Sequence, residues 1–304
     1  MVHKVMLSPD GPKVSEIVYG TWRLLEGDPS PTTDALIERF EWCEELGLST
    51  LDTAEIYGSY QVEAAIGEVF KARPSWRESF EIITKCGIDV PSEEKGDASI
   101  AHYNATAANL RLCAEKSLKL LHTDHLDVLL VHRPDWLASA DETASAIEKL
   151  LDDGLVLHVG ISNYTRDQVE LLNSRLEAPV VTNQVEVSLL HMDALYDGTL
   201  TQCEQARIRP MAWSPLGGGR LFDPANESGA RIRKCMDEMR GRYGDAEDDA
   251  LAFAWVMAHP SKPVTIIGSN QEKRIRSQAS AAGIKMERQD WYALWSAAKG
   301  HGIP

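Results

Sequence analysis

The sequence predicts a single (β/α)₈ barrel, and three observations lead to that fold class. Short runs rich in β-branched residues alternate with longer segments of helical periodicity, and eight such pairs fit between residues 16 and 282. Several strand candidates are apolar on both faces, as in Val128–Val131, which is typical of a parallel strand covered on both sides. An open doubly wound sheet needs fewer strands and usually a glycine-rich turn after the first one, and Trp22–Leu25 is no such turn.

Each element is predicted from its periodicity and its punctuation. The predicted strands cover residues 16–22, 49–54, 80–85, 126–132, 156–161, 180–184, 209–213 and 263–267. The predicted helices cover residues 33–46, 61–72, 105–121, 140–152, 166–175, 193–206, 246–258 and 271–282. The first helix follows a Ser/Thr/Pro cluster and ends before Gly47, which are ordinary start and stop signals.

Three segments lie outside this rhythm. A β-hairpin over about residues 3–15, turning at Asp10–Gly11, is expected before the barrel. Residues 214–245 form a long excursion after the seventh strand, and Asp290–Trp295 predicts an extra C-terminal helix. No linker or low-complexity tract interrupts the chain, so residues 1–304 are expected to form one domain.

Composition narrows the class of protein. A net charge of −15 argues against a nucleic-acid partner, because a phosphate backbone attracts a basic surface. No run approaches ~18 uninterrupted apolar residues, so no membrane partner is expected. The start of the chain does not resemble a secretory signal, and the five cysteines are odd in number and lack a C-x-x-C pair. The cysteines are therefore expected to be reduced thiols in a cytoplasmic protein. The protein is also expected to be a monomer or weak homo-oligomer.

No metal site is predicted. His122 and His125 lie three residues apart without a third ligand, which favours a polar connection over a zinc site.

Four side chains follow or end three successive strands, where the catalytic groups of such barrels lie. Asp52 and Tyr57 belong to the second strand and its loop, Lys85 ends the third strand, and His132 ends the fourth. A phenol has an ordinary pKa of about 10, and a nearby ammonium is expected to lower it. The carboxylate would keep the ammonium charged, and a neutral imidazole would donate to a carbonyl oxygen.

The sequence around these residues resembles the aldo-keto reductase superfamily. The resemblance is carried by Leu51–Gly58, Ile83–Lys85, Leu129–Pro134, Gly160–Asn163, Asn183–Gln184 and Ala212–Leu216, in the family's order along essentially the whole chain. Ser214–Arg220 and Ile267–Asn270 look most like the bacterial YdhF-type oxidoreductase branch of that superfamily.

The resemblance implies the (β/α)₈ fold, NADPH as cofactor and reduction of small aldehydes or ketones to alcohols. Tyr57 would be the general acid, tuned by Lys85 and Asp52, while His132 would hold the substrate carbonyl. The implied cofactor contacts are Thr21, Trp22, Ser162, Asn163, Gln184, Trp213, Ser214, Leu216, Gly218, Arg220, Gly268, Ser269, Arg274 and Gln278. Among these, Ser162, Asn163 and Gln184 match the carboxamide site, Trp213 the stacking aromatic, and Gln278 an adenine contact.

One position departs from the family pattern. A lysine often precedes the serine of the loop after the eighth strand, and Gly268 stands there in this chain. Arg274 remains to hold a 2′-phosphate through its planar fork of donors. NADPH is therefore expected over NADH, but a Lys–Arg pair would favour it more strongly.

Each site also has an ordinary structural interpretation. Ser162 and Asn163 could cap the following helix, Gln184 could satisfy backbone groups at the rim, and Trp213 could be core. For function, a cofactor-binding regulatory or redox-sensing subunit with little turnover remains open, as does a barrel lyase or isomerase without nucleotide. The substrate pocket is expected to involve the loops around Trp22, residues 91–98, Trp136 and residues 220–245.

Overall fold

A computed structural model describes residues 1–92 and 100–303. Strands β1 (Lys4–Met6) and β2 (Lys13–Ser15) form the predicted antiparallel hairpin, with Met6 opposite Lys13. Its turn differs from the expected one, since the Gly11 amide donates to the Ser8 carbonyl at 3.2 Å and places Pro9–Asp10 at the centre. Proline at the second position of a turn is pre-set for that geometry, so it overrides the Asp-Gly pair.

Eight parallel strands close into a barrel, which confirms the predicted fold class. The remaining strands are β3 (Ile17–Gly20), β4 (Thr50–Asp52), β5 (Glu81–Cys86), β6 (Ile88–Asp89), β7 (His102–Tyr103), β8 (Leu126–Val131), β9 (Val156–Ser162), β10 (Asn183–Glu186), β11 (Met211–Trp213) and β12 (Val264–Ile267). The barrel order is β3-β4-β5-β8-β9-β10-β11-β12, and β12 closes on β3 with Thr265 opposite Ile17. Strands β6 and β7 form a separate antiparallel ribbon that was not predicted.

The helices alternate with the strands and surround them. They are α1 (Thr33–Leu46), α2 (Val62–Ala72), α3 (Trp76–Ser79), α4 (Ala107–Leu120), α5 (Ala140–Asp152), α6 (Arg166–Asn173), α7 (Thr199–Ala206), α8 (Glu227–Met239), α9 (Asp248–Met257), α10 (Glu272–Ser280) and α11 (Arg288–Lys299), with 3₁₀ turns at Asp193–Leu195, Gly217–Phe222, Arg240–Tyr243 and Ala281–Gly283. The helix predicted over 193–206 is wrong as one element, because Gly198 adopts a left-handed φ of 90° between the first 3₁₀ turn and α7.

The excursion over 214–245 is mostly helical and contains α8, while the predicted extra C-terminal helix is α11. Helix α11 packs beside α8, and Trp291 of α11 stacks on Trp255 of α9 with ring centroids 4.8 Å apart. These helices therefore add a layer outside the barrel.

A cluster of buried apolar side chains fills the end of the barrel that lies against the hairpin, and polar side chains lie at the opposite end. Leu7 and Val14 of the hairpin are fully buried in the same cluster as barrel residues such as Val18 and Leu130. Burial of these apolar side chains stabilises the barrel by about 1.5–3 kcal/mol each. The hairpin therefore closes the end at which the strands begin, and the opposite rim carries the candidate functional groups.

Candidate active site

The structure brings three of the four predicted catalytic side chains into direct contact around Lys85. The Lys85 Nζ donates to Asp52 Oδ2 at 2.8 Å, lies 3.1 Å from the Tyr57 hydroxyl and donates to the Thr53 carbonyl at 2.8 Å. Lys85 is fully buried, and Asp52 and Tyr57 are 3% and 7% exposed. The ammonium therefore has all three of its donors used, in a site from which water is largely excluded.

Two residues predicted to contact a cofactor also hold Asp52. Gln184 donates from Nε2 to Asp52 Oδ1 at 2.7 Å, so both carboxylate oxygens accept a hydrogen bond. Thr21 is buried, and its hydroxyl donates to the Asp52 carbonyl at 3.0 Å. The structural interpretation of Gln184 was that its side chain bonds to backbone groups of the rim. Its amide nitrogen donates to a carboxylate instead.

His132 and Trp22 flank the phenol. The rings of Tyr57 and His132 meet edge to face with centroids 6.1 Å apart, and Trp22 packs edge to face on Tyr57 at 4.8 Å. Trp22 is 59% exposed, whereas His132 is 9% exposed. Neither ring nitrogen of His132 has a hydrogen bond to the parts of the chain that the structure describes, and its Nδ1 is buried. The imidazole is therefore available to a ligand beside Tyr57.

Burial and neighbouring charges shift the pKa values of Tyr57, Lys85 and His132. Burial raises the pKa of Tyr57, and the opposing charge of Lys85 is not enough to reverse it. Lys85 does lower the pKa of Tyr57 as predicted, but desolvation of the phenolate, which the prediction left out, outweighs it. Burial opposes the charge on Lys85, but Asp52 and Tyr57 outweigh it and the pKa of the ammonium is raised. Burial, helped by the charges of Lys85 and Arg133, brings the pKa of His132 well below its ordinary value, so the imidazole is neutral.

The predicted carboxamide-binding residues form one hydrogen-bonded group beside this cluster. Ser162 donates to the Gln184 carbonyl at 2.9 Å, Asn163 donates from Nδ2 to Ser162 Oγ at 2.7 Å, and Trp213 donates from Nε1 to Asn163 Oδ1 at 3.2 Å. Helix α6 is capped by Thr165, which forms a capping box with Gln168. Ser162 and Asn163 therefore do not cap that helix, and the structural alternative for them is wrong.

The glycine-rich segment after β11 offers backbone to a ligand. Ser214 and Gly217–Gly219 all adopt left-handed φ angles, and nothing lies within 4 Å of a Cβ built on Gly218 or Gly219. Leu216 is half-buried against the core, and Arg220 is largely exposed, with its Nε donating to the Gly217 carbonyl at 2.8 Å. The Gly217 and Gly219 amides donate to the Ser214 and Leu216 carbonyls at 2.8 and 3.1 Å, so what the segment offers a pyrophosphate is close approach to its backbone at Gly218 and Gly219.

The loop after β12 contains the remaining predicted cofactor contacts. Gly268 and Arg274 are exposed, and the Arg274 guanidinium has no hydrogen bond or ion pair to the described ranges. Ser269 is half-buried and accepts from the Gln271 amide at 3.2 Å. Gln278 lies one turn after Arg274 in α10, but it is buried and donates to Asp249 Oδ2 at 3.2 Å.

Two buried or half-buried charges near the site were not predicted. Arg133 follows His132 and lies over the Trp213 ring, with Cζ 6.0 Å from the centroid. Glu63 in α2 is 2% exposed, and its signal in the sequence was an acid on an apolar helix face.

The predicted pocket loops are described in part. Residues 93–98 lie outside the described residues, whereas Trp136 is exposed and packs edge to face on Tyr103.

Within residues 1–92 and 100–303, no group of three His, Cys, Asp or Glu side chains is placed to hold a metal ion. No helix of the same ranges is both long enough and apolar enough to cross a membrane.

The closed parallel barrel with this polar rim is the architecture of a class of NAD(P)-dependent oxidoreductases, and similarity to known proteins places the chain in that class. The model of the Aldo/keto reductase family matches residues 16–299, so the chain belongs to that family. It is 43% identical over 304 residues to oxidoreductase YdhF of Escherichia coli (strain K12), covering 100% of both chains. It is 40% identical to a 6-dehydroglucose reductase of Agrobacterium fabrum, over 99% of this chain and 100% of that one. The solved structure of a thermostable aldo-keto reductase has the same fold, with a TM-score of 0.80 at 24% identity over 97% of this chain and 99% of that chain.

Proposed function

We propose that this protein reduces aldehydes or ketones to alcohols with NADPH, and that Tyr57 supplies the proton. The observation that carries the proposal is the Lys85 ammonium, which contacts both the Asp52 carboxylate and the Tyr57 hydroxyl at the rim of the barrel. A phenol in this position has a charged donor ready to stabilise the phenolate that forms when the proton leaves.

The four side chains divide the work of proton delivery. Tyr57 donates its proton to the carbonyl oxygen, and Lys85 holds the resulting phenolate by the hydrogen bond that already joins them. The raised pKa of Tyr57 keeps the phenol protonated before the reaction. Neutral His132 donates from its ring to the same oxygen and aligns the carbonyl. Asp52, held by Gln184, keeps Lys85 charged.

When bound, NADPH supplies the hydride that joins the carbonyl carbon. Ser162, Asn163 and Trp213 would hold the nicotinamide end, Ser214, Leu216, Gly218 and Arg220 the pyrophosphate, and Gly268, Ser269 and Arg274 the adenosine phosphate. Thr21, Trp22, Gln184 and Gln278 complete the proposed cofactor contacts. Thr21 and Gln184 also hold Asp52, and Gln278 also bonds to Asp249. None of the five cysteines forms a disulfide in the part of the chain that the structure describes, which supports a cytoplasmic location, and we propose a monomer or weak homo-oligomer.

Replacing Tyr57 by Phe tests the proton donor. Tyr57→Phe should lower kcat for 4-nitrobenzaldehyde with NADPH by about 10²–10⁴-fold, because the acid is removed while the ring remains. NADPH affinity, measured by quenching of protein fluorescence, should change by less than threefold. Tyr292→Phe, which removes an exposed phenol on α11, is the matched control and should turn over normally. Normal turnover by Tyr57→Phe would contradict the proposal.

The same assay separates an enzyme from a cofactor-binding regulatory subunit. The regulatory alternative predicts NADPH binding with negligible oxidation of the cofactor across a panel of aldehydes, by the wild type as well as by the variants. The lyase or isomerase alternative predicts no fluorescence change on addition of NADPH.

Replacing Arg274 by Ala tests the choice of cofactor. The exposed guanidinium should contribute a charge-assisted contact to the 2′-phosphate of NADPH and none to NADH. Arg274→Ala should therefore weaken NADPH by about tenfold, the equivalent of about 1.4 kcal/mol, and NADH by less than twofold. Equal losses for both cofactors would remove Arg274 from the 2′-phosphate site.

A further inference from the structure

Arg133 places a cation at the rim beside the proposed catalytic group. It directly follows His132 at the end of β8, is half-buried, and has its Cζ 6.0 Å from the centroid of the Trp213 ring. Trp213 is itself fixed by the hydrogen bond from its Nε1 to Asn163 Oδ1. The guanidinium therefore rests on an aromatic surface that does not neutralise its charge.

No acidic side chain in the described ranges pairs with Arg133. The nearest acid on the same loop is Asp135, whose two oxygens accept from the amides of Ala105 and Leu137 at 2.9 Å each. In a chain with 46 acidic and 31 basic side chains, a half-buried arginine that has no carboxylate partner is conspicuous. Such a charge is costly unless another group compensates it.

The guanidinium acts electrostatically on the groups that would surround the reacting carbonyl. Its charge is among the causes that lower the pKa of His132, and it opposes the rise in the pKa of Tyr57. The cation therefore lies close enough to influence both proposed donors to the carbonyl oxygen. Because its charge acts on His132 and Tyr57, which would both face the carbonyl oxygen, a substituent of the substrate would lie near the guanidinium.

We propose that Arg133 is a specificity-determining residue that binds an oxyanion substituent, a carboxylate or a phosphoryl group, on the carbonyl substrate. The planar fork of a guanidinium matches either oxyanion with two parallel hydrogen bonds. The enzyme then prefers an anionic aldehyde over a neutral one of the same skeleton. This inference rests on the proposed carbonyl reductase function.

Two substrate pairs test the proposal with NADPH at fixed ionic strength. D-glyceraldehyde 3-phosphate is compared with D-glyceraldehyde, and 4-carboxybenzaldehyde with 4-nitrobenzaldehyde. For the wild type, kcat/KM should be at least tenfold higher for the anionic member of one pair, and the pair that shows the preference identifies phosphoryl or carboxylate. Arg133→Gln should reduce that preference at least tenfold, mainly through a higher KM for the anionic member.

Two further variants separate local binding from other effects of charge. Arg133→Lys should keep part of the preference, because it retains the charge without the planar fork. Arg23→Gln removes a cation on the loop after β3 that already faces Glu26 at 3.7 Å, and it should keep the full preference. An equal loss of preference in Arg23→Gln would indicate long-range attraction and overturn the proposal.

The remaining outcomes also decide it. Equal losses for the anionic and neutral members in Arg133→Gln would mean a general polar contact, and would overturn the anion site. A wild type that reduces the neutral aldehydes without preferring either anion overturns this inference and leaves the proposed function standing. A wild type that reduces none of the four aldehydes overturns both.

Discussion

Strand β5 contacts two buried acids from neighbouring elements, one on each of its faces, and gives them opposite kinds of partner. On the inner face, Lys85 gives Asp52 a charged partner at 2.8 Å. On the outer face, Thr84 donates its hydroxyl to Glu63 Oε1 at 2.6 Å, and Ser117 donates to Oε2 at 3.0 Å. Adjacent residues of a strand point to opposite faces, so one step along the chain separates an ion pair from a hydroxyl-bound carboxyl group.

The difference shows that partners rather than burial alone set the charge of an acid. Burial raises the pKa of Glu63 to about 7, although the hydrogen bonds from Thr84 and Ser117 lower it in part. At Asp52 the ammonium is present, and the pKa of Lys85 is raised. The inner face therefore keeps two opposite charges for chemistry, while the outer face holds an acid that titrates near neutrality.

Removing the ammonium should produce the largest effect on this comparison. Among the described residues, Lys85→Met leaves only Gln184 donating to the buried Asp52 carboxylate, which should cost about 3–5 kcal/mol of unfolding free energy. Turnover should fall at least about 10²-fold, because the phenolate loses its charged donor. Urea unfolding at pH 7 and the NADPH oxidation assay measure the two effects.

The double variant Lys85→Met with Asp52→Asn is the matched control. It should recover most of the lost stability, since no unpaired charge remains, and none of the lost turnover. A single variant as stable as the wild type would contradict the view that the ion pair is the difference between the two faces.

Neutralising the outer acid should have the next largest effect, and only on stability. The folded-state pKa of Glu63 is raised from the ordinary value of 4.5 to about 7, so folding favours the protonated form. This contribution is fully present below pH 4.5 and is lost as the pH rises through 7. At 1.36 kcal/mol per pKa unit, the loss amounts to about 3 kcal/mol.

Glu63→Gln should remove that pH dependence. The unfolding free energy of the wild type, relative to the variant, should fall by about 3 kcal/mol between pH 4.5 and 8, while kcat stays within twofold. Urea midpoints across this range provide the measurement. Parallel stability curves for the two proteins would show that Glu63 titrates normally.

Removing one hydroxyl of the outer cluster should have the smallest effect. Thr84→Val keeps the shape of the side chain and deletes the donor to Glu63, which should cost about 1.5–3 kcal/mol above pH 7, where Glu63 is ionised. The cost should be smaller at pH 5, where the acid is neutral. Turnover should be unchanged, although Thr84 adjoins Lys85, and a large loss of turnover would show that the two faces are coupled.

The barrel was predictable because its signals are local and repeated. The predicted helix over 33–46 has the bounds of α1, with Thr32 as N-cap and Gly47 as C-cap. The sixth strand was predicted at 180–184 and lies at Asn183–Glu186. The prediction began early because Val180 and Val181 are buried like strand residues, and the Val181 amide already donates to the Val159 carbonyl of β9 at 2.8 Å. The ribbon of Ile88–Asp89 and His102–Tyr103 was missed because two-residue strands have no detectable alternation.

The predicted catalytic cluster is assembled by strand ends that the sequence locates well. The partners of Gln184 and Gln278 depend instead on side-chain rotamers, which no pattern in the sequence specifies. The net direction of the Tyr57 pKa depends on the extent of burial, which also follows only from tertiary packing. The Glu63 cluster joins two helices and one strand across 54 residues of chain, so no local signal contains it.

The pairing of Ile17 with Thr265 also determines when the barrel can close during synthesis. Strand β3 leaves the ribosome early, yet its final neighbour β12 emerges about 12–50 s later at ordinary translation rates of about 5–20 residues per second. Until then, one edge of β3 has no partner from the barrel, and the nascent chain presents unpaired amides and carbonyls. The ring is thus completed only after nearly the whole polypeptide has been made, which makes the growing chain a natural client for chaperones that cover open sheet edges.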